Sequence, residues 1–237
     1  MGKQKLLLLP GLDGTGLLFE SLINALQDNI QIEIEVVRYP VNETRTYEEL
    51  VDFVADIVRL HESIYIVAES FSGPIGLKIL ARHPDKIRGL VLAASFITPP
   101  SKFLLRLARL LPIEKLLKIN IPDFLIRKFC LGNDSSNESI SQFKTALRSV
   151  SPKVIAHRLD ELLELDKNQF RGTDSNKVIC LKASDDKLVS NHCTEELASV
   201  ISVDVKEVQG PHFLLQTKVE ECAKAIISVL TINNETV

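Results

Sequence analysis

The sequence contains no tryptophan and one methionine, and its four cysteines are far apart, at Cys130, Cys180, Cys193 and Cys222. They form no CxxC pair and no cluster with histidines, so we expect neither a disulfide framework nor a zinc site. Reduced thiols are typical of a cytoplasmic protein, and the cytoplasm is the location that we predict.

Long apolar runs and a strong charge bias are absent as well. The first apolar stretch, Leu6–Leu9, is too short for a signal peptide core, and no transmembrane segment is visible. Myristoylation of Gly2 is not expected, because Leu6 stands where the acceptor motif needs Ser or Thr. The net charge of −3 gives no reason to expect nucleic acid as a partner.

What the sequence does contain is a regular alternation of two kinds of segment. Apolar or β-branched stretches predict strands at 5–9, 30–37, 63–68, 87–93, 177–182 and 203–208. Helices are predicted between and after them, at 16–27, 47–60, 71–81, 194–200 and 214–230. This pattern over 237 residues predicts one α/β domain with a doubly wound, mostly parallel sheet of about six strands.

The alternation is interrupted between residues 98 and 170, where helical stretches occur without a convincing strand. We interpret this segment as a helical cap carried by one loop of the sheet. The predicted core then consists of residues 1–97 and 171–237.

A candidate nucleophile follows the third predicted strand, in the sequence Ala68-Glu69-Ser70-Phe71-Ser72. A serine on a sharp strand-to-helix turn has its hydroxyl exposed above the sheet, and small residues are needed two positions to either side. Ala68 and Ser72 meet that steric need, although the strict G-x-S-x-G pattern is not met. The alternatives are that Ser70 merely caps the helix, or that Ser72 is the nucleophile.

A glycine-rich loop, Pro10-Gly11-Leu12-Asp13-Gly14-Thr15-Gly16, follows the first predicted strand. Its glycines match neither the phosphate-binding loop nor the dinucleotide fingerprint. In folds with a nucleophile turn this loop supplies a backbone donor to the oxyanion, which predicts the N–H groups of Leu12 and Phe71 as the oxyanion hole. Asp13 is expected to stabilise the turn rather than to take part in chemistry.

An acid and a base follow the last two predicted strands. Asp186 is the favoured carboxylate, with Asp185 as its rival, and His212 is the favoured general base, with His192 as its rival. The order Ser70, Asp186, His212 is the one found in α/β-hydrolases. Since parallel strands place their carboxyl ends at one edge, we expect the three side chains to meet there.

At these residues the chain resembles the α/β-hydrolase superfamily. The glycine-rich loop and the sequence from Ala68 to Pro74 resemble a group of small bacterial serine esterases, in which Pro-Gly replaces the usual His-Gly before the oxyanion donor. The resemblance implies a sheet that begins at the superfamily's third strand, so that the first two outer strands are missing. In size and layout the chain resembles the carboxylesterases of biotin synthesis.

The first half of the insertion, Ser101–Cys130, holds seven basic side chains against two acidic ones and is rich in leucine. An ordinary lid with a basic outer face explains this composition. The resemblance to the pimeloyl-carrier methyl esterases implies instead that Lys102, Arg106 and Arg109 dock an acyl carrier protein. Contact with anionic lipids is a third interpretation, without stable membrane insertion.

The sequence therefore predicts a serine carboxylic-ester hydrolase that works through an acyl-enzyme, with carrier-bound acyl methyl esters among its candidate substrates. An acyltransferase, a C–C bond hydrolase or a non-enzymatic binding protein on the same fold are the alternatives. A dehalogenase is disfavoured, because it needs an aspartate where Ser70 stands. No metal or organic cofactor is implied.

Overall fold

A computed structural model describes residues 4–101, 105, 121–173, 178–201 and 203–232. Its strands are β1 (Gln4–Leu9), β2 (Ile32–Val36), β3 (Ile64–Glu69), β4 (Ile87–Ala93), β5 (Val178–Ala183) and β6 (Asp204–Val208). They form one six-stranded sheet in the order β2-β1-β3-β4-β5-β6, and every neighbouring pair is parallel. The predicted parallel sheet of about six strands is confirmed.

The strand order reverses between β1 and β3, which lie side by side although β2 separates them in sequence. In open parallel sheets the loops at such a point diverge to opposite faces and leave a crevice for a ligand. The glycine-rich loop leaves β1 here, and the Ser70 turn leaves β3. The topology thus brings the two predicted halves of the oxyanion hole to the same crevice.

The helices are α1 (Glu20–Asn29), α2 (Tyr47–Arg59), α3 (Gly73–Arg82), α4 (Asp123–Ile126), α5 (Asn137–Arg148), α6 (Pro152–Glu161), α7 (Asn191–Val200), α8 (Leu214–Thr217) and α9 (Val219–Ile232). On one face of the sheet, α2, α3 and α7 bury residues such as Val54, Leu80 and Leu197. On the other face, α1 and α9 bury Leu26 and Ile226. Two separate cores therefore enclose the sheet.

Burial explains why these segments form strands. All six residues of β3 are buried, and so are the last four of β1, because helices cover both faces of these central strands. On the edge, β2 exposes Glu33 and leaves its next three residues partly exposed. A capping box at Thr46 and Glu49 fixes the start of α2, as each side chain binds the other residue's backbone N–H.

Three helix predictions differ from the structure. The helix predicted from Phe71 begins with a 3-10 turn at Ser70–Ser72 before α3. The segment predicted as a helix from Gly16 begins with a 3-10 turn at Leu17–Phe19 before α1. The predicted final helix is two helices, because Lys218 leaves the helical region at φ −125° and ψ 46°. This break allows the short α8 to follow the His212 loop while α9 packs along α1.

Between residues 121 and 173 the structure contains helices and turns and no strand, in agreement with the expected helical insertion. The limits of the cap at 98 and 170 stay a prediction. No helix among the described residues is both long and apolar enough to cross a bilayer.

Candidate active site

Ser70 occupies a strained turn directly after β3. Its φ of 46° lies in the left-handed region, which a non-glycine residue adopts only at a cost of order 1–3 kcal/mol. The Ser95 hydroxyl donates a 2.8 Å hydrogen bond to the Ser70 carbonyl and holds the turn. Strain of this kind is characteristic of a nucleophile turn, in which the hydroxyl is pushed above the sheet.

The close approach that the turn needs depends on two glycines that the sequence analysis did not weigh. A Cβ added at Gly73 would lie 1.6 Å from Ser95 Oγ, and one at Gly76 would lie 3.1 Å from the Cβ of Ala68. These positions in α3 therefore supply the space that the usual flanking glycines would provide. In the sequence, the glycines at positions 73 and 76 were the signal from which this close approach could have been predicted.

Ser72, the alternative candidate, has its hydroxyl engaged in two buried hydrogen bonds. It is fully buried, its hydroxyl donates to the Pro10 carbonyl, and it accepts a 2.7 Å hydrogen bond from the Tyr39 hydroxyl. Both contacts lie on the side of the glycine-rich loop. Ser72 instead ties the loop after β1 to the turn after β3.

The structure brings Ser70, His212 and Asp186 into one hydrogen-bonded line. His212 Nε2 lies 2.9 Å from Ser70 Oγ, and His212 Nδ1 lies 2.7 Å from Asp186 Oδ2. The His212 and Asp186 side chains are almost completely buried. With Nδ1 protonated towards Asp186, Nε2 is free to accept the Ser70 proton, which is the arrangement that a general base requires.

Asp185 and His192, the alternatives to Asp186 and His212, do not take part in this hydrogen-bonded line. Asp185 is exposed and accepts a hydrogen bond from the Ser184 hydroxyl rather than from His212. The side chain of His192 is 73% exposed and faces Glu195 and Glu196. The geometry therefore favours Asp186 and His212.

Backbone contacts hold the acid and the base in register. Asp186 Oδ1 accepts from the N–H groups of Leu188 and Val189, both at 2.8 Å, which leaves Oδ2 for His212. The loops after β5 and β6 are joined by the bond from the Asp185 N–H to the Gly210 carbonyl, at 2.9 Å. The positions of the two side chains thus follow from parallel pairing of their strands.

The glycine-rich loop has the geometry of an oxyanion donor. The Gly11 carbonyl accepts from the Gly14 N–H at 3.0 Å, and since the Gly11–Leu12 peptide is trans, the Leu12 N–H points the opposite way. Leu12 and Phe71 both line the pocket that contains Ser70. Asp13 accepts from the backbone and the hydroxyl of Thr15, in the turn-stabilising role expected of it.

The pocket above Ser70 is a cavity of about 340 Å³ with largely apolar walls. Its apolar lining comes from the core and from the insertion and includes Leu18, Phe96, Phe143, Leu147, Leu159 and Leu162. The charged or titratable residues among its described lining are Asp13, Glu69, Cys130 and His212, and none is a lysine or an arginine. Such a site suits a neutral, apolar group beside the nucleophile.

Glu69, next to Ser70, is a pocket residue that the sequence did not single out. It is buried, it lines the pocket, and its Oε1 has no hydrogen-bond partner among the described residues. Burial raises the pKa of this carboxyl to about 7, and the neighbouring Asp13 charge adds to the rise. The only sequence signal for a role of Glu69 in the site was its position directly before Ser70.

Part of the predicted site lies outside the described residues, namely the docking candidates Lys102, Arg106 and Arg109. Among the residues that the structure does describe, no group of three or more His, Cys, Asp or Glu side chains is arranged to hold a metal ion. The described cysteines are all free thiols.

No protein-family model matches the chain. It is 24% identical over 244 residues to a Caulobacter sp. (strain K31) protein named as the carbamate hydrolase RutD, covering 97% of this chain and 91% of that protein. It is 31% identical over 118 residues to phytyl ester synthase 1, chloroplastic, of Arabidopsis thaliana. That match covers 46% of this chain and 16% of the plant protein.

Two solved structures are similar to that of this chain over almost its whole length. MenH from S. aureus gives a TM-score of 0.77 at 17% identity, covering 99% of this chain and 96% of that one. A structure from work on carboxylesterases of Nitrososphaera gargenis gives 0.77 at 15% identity, covering 99% and 92%. Structural similarity at such low sequence identity is evidence about the fold alone. It shows that this chain has the α/β-hydrolase fold.

The raised pKa of Glu69 predicts a pH-dependent loss of stability. The folded state holds this proton more tightly than the unfolded state, whose value is near 4.5. The resulting stabilisation is complete below about pH 4.5 and is lost as the pH rises through about 7, by ~3 kcal/mol in all. Urea unfolding from pH 4.5 to 8 should show that Glu69→Gln gains on the wild type as the pH rises.

Glu62→Gln, at an exposed carboxyl, is the matched control and should follow the wild type across the range. Parallel curves for the wild type and Glu69→Gln would contradict the assignment of a strongly raised pKa to this buried carboxyl.

Proposed function

We propose that the protein is a serine hydrolase of carboxylic esters. The observation that carries the proposal is the line from Ser70 through His212 to Asp186, with heavy-atom distances of 2.9 and 2.7 Å. Burial of His212 and Asp186 excludes water from the line and strengthens each of its hydrogen bonds. A non-enzymatic binding protein would have no need for the strained conformation of Ser70.

The reaction follows from these positions in two steps. Ser70 Oγ attacks the acyl carbon while His212 Nε2 takes its proton, and the N–H groups of Leu12 and Phe71 hold the oxyanion. The tetrahedral intermediate expels the alcohol, which takes the proton from His212 and leaves an acyl group on Ser70. Water, deprotonated by His212, then attacks the acyl carbon, and the bond to Ser70 Oγ breaks as Oγ takes the proton back from His212 and the carboxylic acid leaves. Asp186 stabilises the imidazolium in both steps.

The pocket indicates the class of substrate. Its apolar lining favours a hydrocarbon acyl or alcohol group, and its acidic residues, Asp13 and Glu69, disfavour a carboxylate held inside it. A neutral, apolar ester is therefore the proposed substrate class. A carrier-bound acyl methyl ester of the pimeloyl type also meets this description, since its buried chain is uncharged.

Docking of an acyl carrier protein stays a prediction from the basic charge around Lys102, Arg106 and Arg109. It would place the carrier outside the pocket and the acyl chain within it. This partner is part of the proposal for the carrier-bound substrate and not for ester hydrolysis in general.

Acyl transfer to an alcohol is the second candidate function. It uses the same acyl-enzyme on Ser70, with an alcohol in place of water in the second step. The apolar pocket favours a long-chain acceptor over water, and one similar plant protein is named a phytyl ester synthase. Carbamate hydrolysis, named for the Caulobacter relative, would require the same nucleophile and base.

Labelling with a fluorophosphonate tests the nucleophile. The wild type should label at one site, and Ser70→Ala should not label, because the reagent needs an activated serine. Ser72→Ala is the matched control: it should still label, but with a lower free energy of unfolding, by about 1–3 kcal/mol, since Tyr39 and Pro10 lose their buried partner. Equal labelling of wild type and Ser70→Ala would refute the proposal.

A series of p-nitrophenyl esters of increasing acyl length tests the pocket. We expect kcat/KM to rise about fourfold for each added methylene until the cavity is full, the factor that burial of one methylene supplies. Acyl chains ending in a carboxylate should react far more slowly than neutral chains of equal length. An optimum at acetate would contradict the assignment of an apolar acyl site.

The same series separates hydrolysis from acyl transfer. With a long-chain alcohol present, product analysis should find free acid as the main product if the enzyme is a hydrolase. Predominant formation of the new ester would support the acyltransferase instead, and release of ammonia from a carbamate with little ester turnover would contradict ester specificity.

A further inference from the structure

Arg158 is a buried charged residue that the proposed mechanism does not use. It lies on α6, in the insertion, and only 2% of its surface is exposed. Arg158 forms no ion pair with a carboxylate of the described residues, although Asp13 is close enough to interact with it electrostatically. Burying a cation without an ion-pair partner costs several kcal/mol, so its contacts need an explanation.

The Arg158 guanidinium binds three backbone carbonyls. Nη1 donates to the carbonyls of Leu12 and Asp13, at 2.8 and 2.7 Å, and Nη2 donates to that of Pro40 at 3.0 Å. Two of these carbonyls belong to the glycine-rich loop. A side chain that is 145 residues away in sequence therefore clamps the loop beside the nucleophile.

The loop is shaped to receive this group. A Cβ at Gly14 would lie 2.5 Å from Arg158 Nη1, so the guanidinium lies directly against the Gly14 backbone, where φ is 71°. Its other neighbour is the Tyr39 ring, with the guanidinium carbon 5.7 Å from the ring centroid. Any side chain at position 14 would displace the cation.

Tyr39 extends the clamp to the nucleophile turn. Its N–H donates to the Gly14 carbonyl at 2.8 Å, and its hydroxyl binds Ser72, which in turn binds Pro10. Arg158 and Tyr39 thus hold the backbone of the glycine-rich loop, and neither is among the described residues that line the pocket. Contacts of this kind can fix the direction of a loop N–H without occupying the substrate site.

We propose that Arg158 is a positioning residue for the oxyanion hole. By holding the Leu12 and Asp13 carbonyls, it keeps the Leu12 N–H directed to the position of the oxyanion above Ser70. Its positive charge, which interacts with Asp13 but forms no ion pair among the described residues, also favours negative charge developing on the substrate oxygen. The inference rests on the proposed ester hydrolysis.

Substrate binding and oxyanion stabilisation are thereby linked through one helix. Leu159, the next residue of α6, lines the acyl pocket. A chain bound in the pocket therefore contacts the same helix that fixes the loop. The insertion supplies a part of the catalytic apparatus as well as a wall of the pocket.

The test compares Arg158→Lys and Arg158→Ala with Lys153→Met, an exposed control on the same helix. For the preferred neutral ester, we expect kcat to fall roughly 10- to 100-fold in the Arg158 variants, less than complete loss of a donor would cause. KM should change by less than about threefold, because the acyl pocket is intact. Lys153→Met should match the wild type.

Added guanidinium, kept below denaturing concentration, should restore part of kcat to Arg158→Ala by filling the vacated site, and it should not activate the wild type. This rescue is the readout that a merely structural role would not produce. Phosphonate labelling counts the competent sites, so that kcat is expressed per folded enzyme. If Arg158→Ala fails to fold, Arg158→Lys carries the same comparison without rescue.

Two results would overturn the inference: a kcat per labelled site within twofold of the wild type in a folded Arg158 variant, or a loss confined to the number of labelled sites. A wild type that neither labels nor hydrolyses esters would instead overturn the proposed function itself.

Discussion

The hydrogen bonds on the two nitrogens of His212 are the interaction on which the site depends. One nitrogen lies 2.9 Å from Ser70 Oγ and the other 2.7 Å from Asp186 Oδ2. The three residues follow three different strands, so the line exists only if β3, β5 and β6 share one sheet with their carboxyl ends at one edge. Parallel pairing from β3 through β4 to β6 meets that condition.

The conformational strain at Ser70 is balanced by its surroundings. The Ser95 hydroxyl holds the carbonyl of the turn, and Gly73 admits Ser95 at a distance that no side chain would allow. On the other side, Ser72 and Tyr39 connect the turn to the glycine-rich loop. Ser70 and the proposed oxyanion donors are therefore held by one continuous set of buried polar contacts, which limits their relative movement.

The sheet and the main site residues could be predicted because their signals are local. Apolar runs alternating with helices indicate a parallel sheet, and in such a sheet residues after different strands converge at one edge. That reasoning was enough to place Ser70, Asp186 and His212 together. The resemblance of the loop and turn sequences to α/β-hydrolases agrees with the fold that the structure has.

The parts that escaped prediction depend on contacts between distant residues. Arg158 lies in an amphipathic helix, where its periodicity is that of any basic surface residue, and only folding shows that it is buried against Leu12 and Asp13. Glu69 likewise has a raised pKa because of the burial of its strand. The break at Lys218 was hidden because apolar residues continue in helical spacing across it.

The central claim is that Asp186 orients His212 to activate Ser70, and the pair of adjacent aspartates offers a direct test. We predict that Asp186→Asn lowers kcat for a p-nitrophenyl ester by roughly 10³- to 10⁴-fold, because the amide stabilises the wrong imidazole tautomer. Asp185→Asn should stay within about threefold of the wild type, since the Asp185 carboxylate is exposed and accepts its hydrogen bond from Ser184. Equal losses in the two variants, or a loss under about tenfold in Asp186→Asn, would contradict the account.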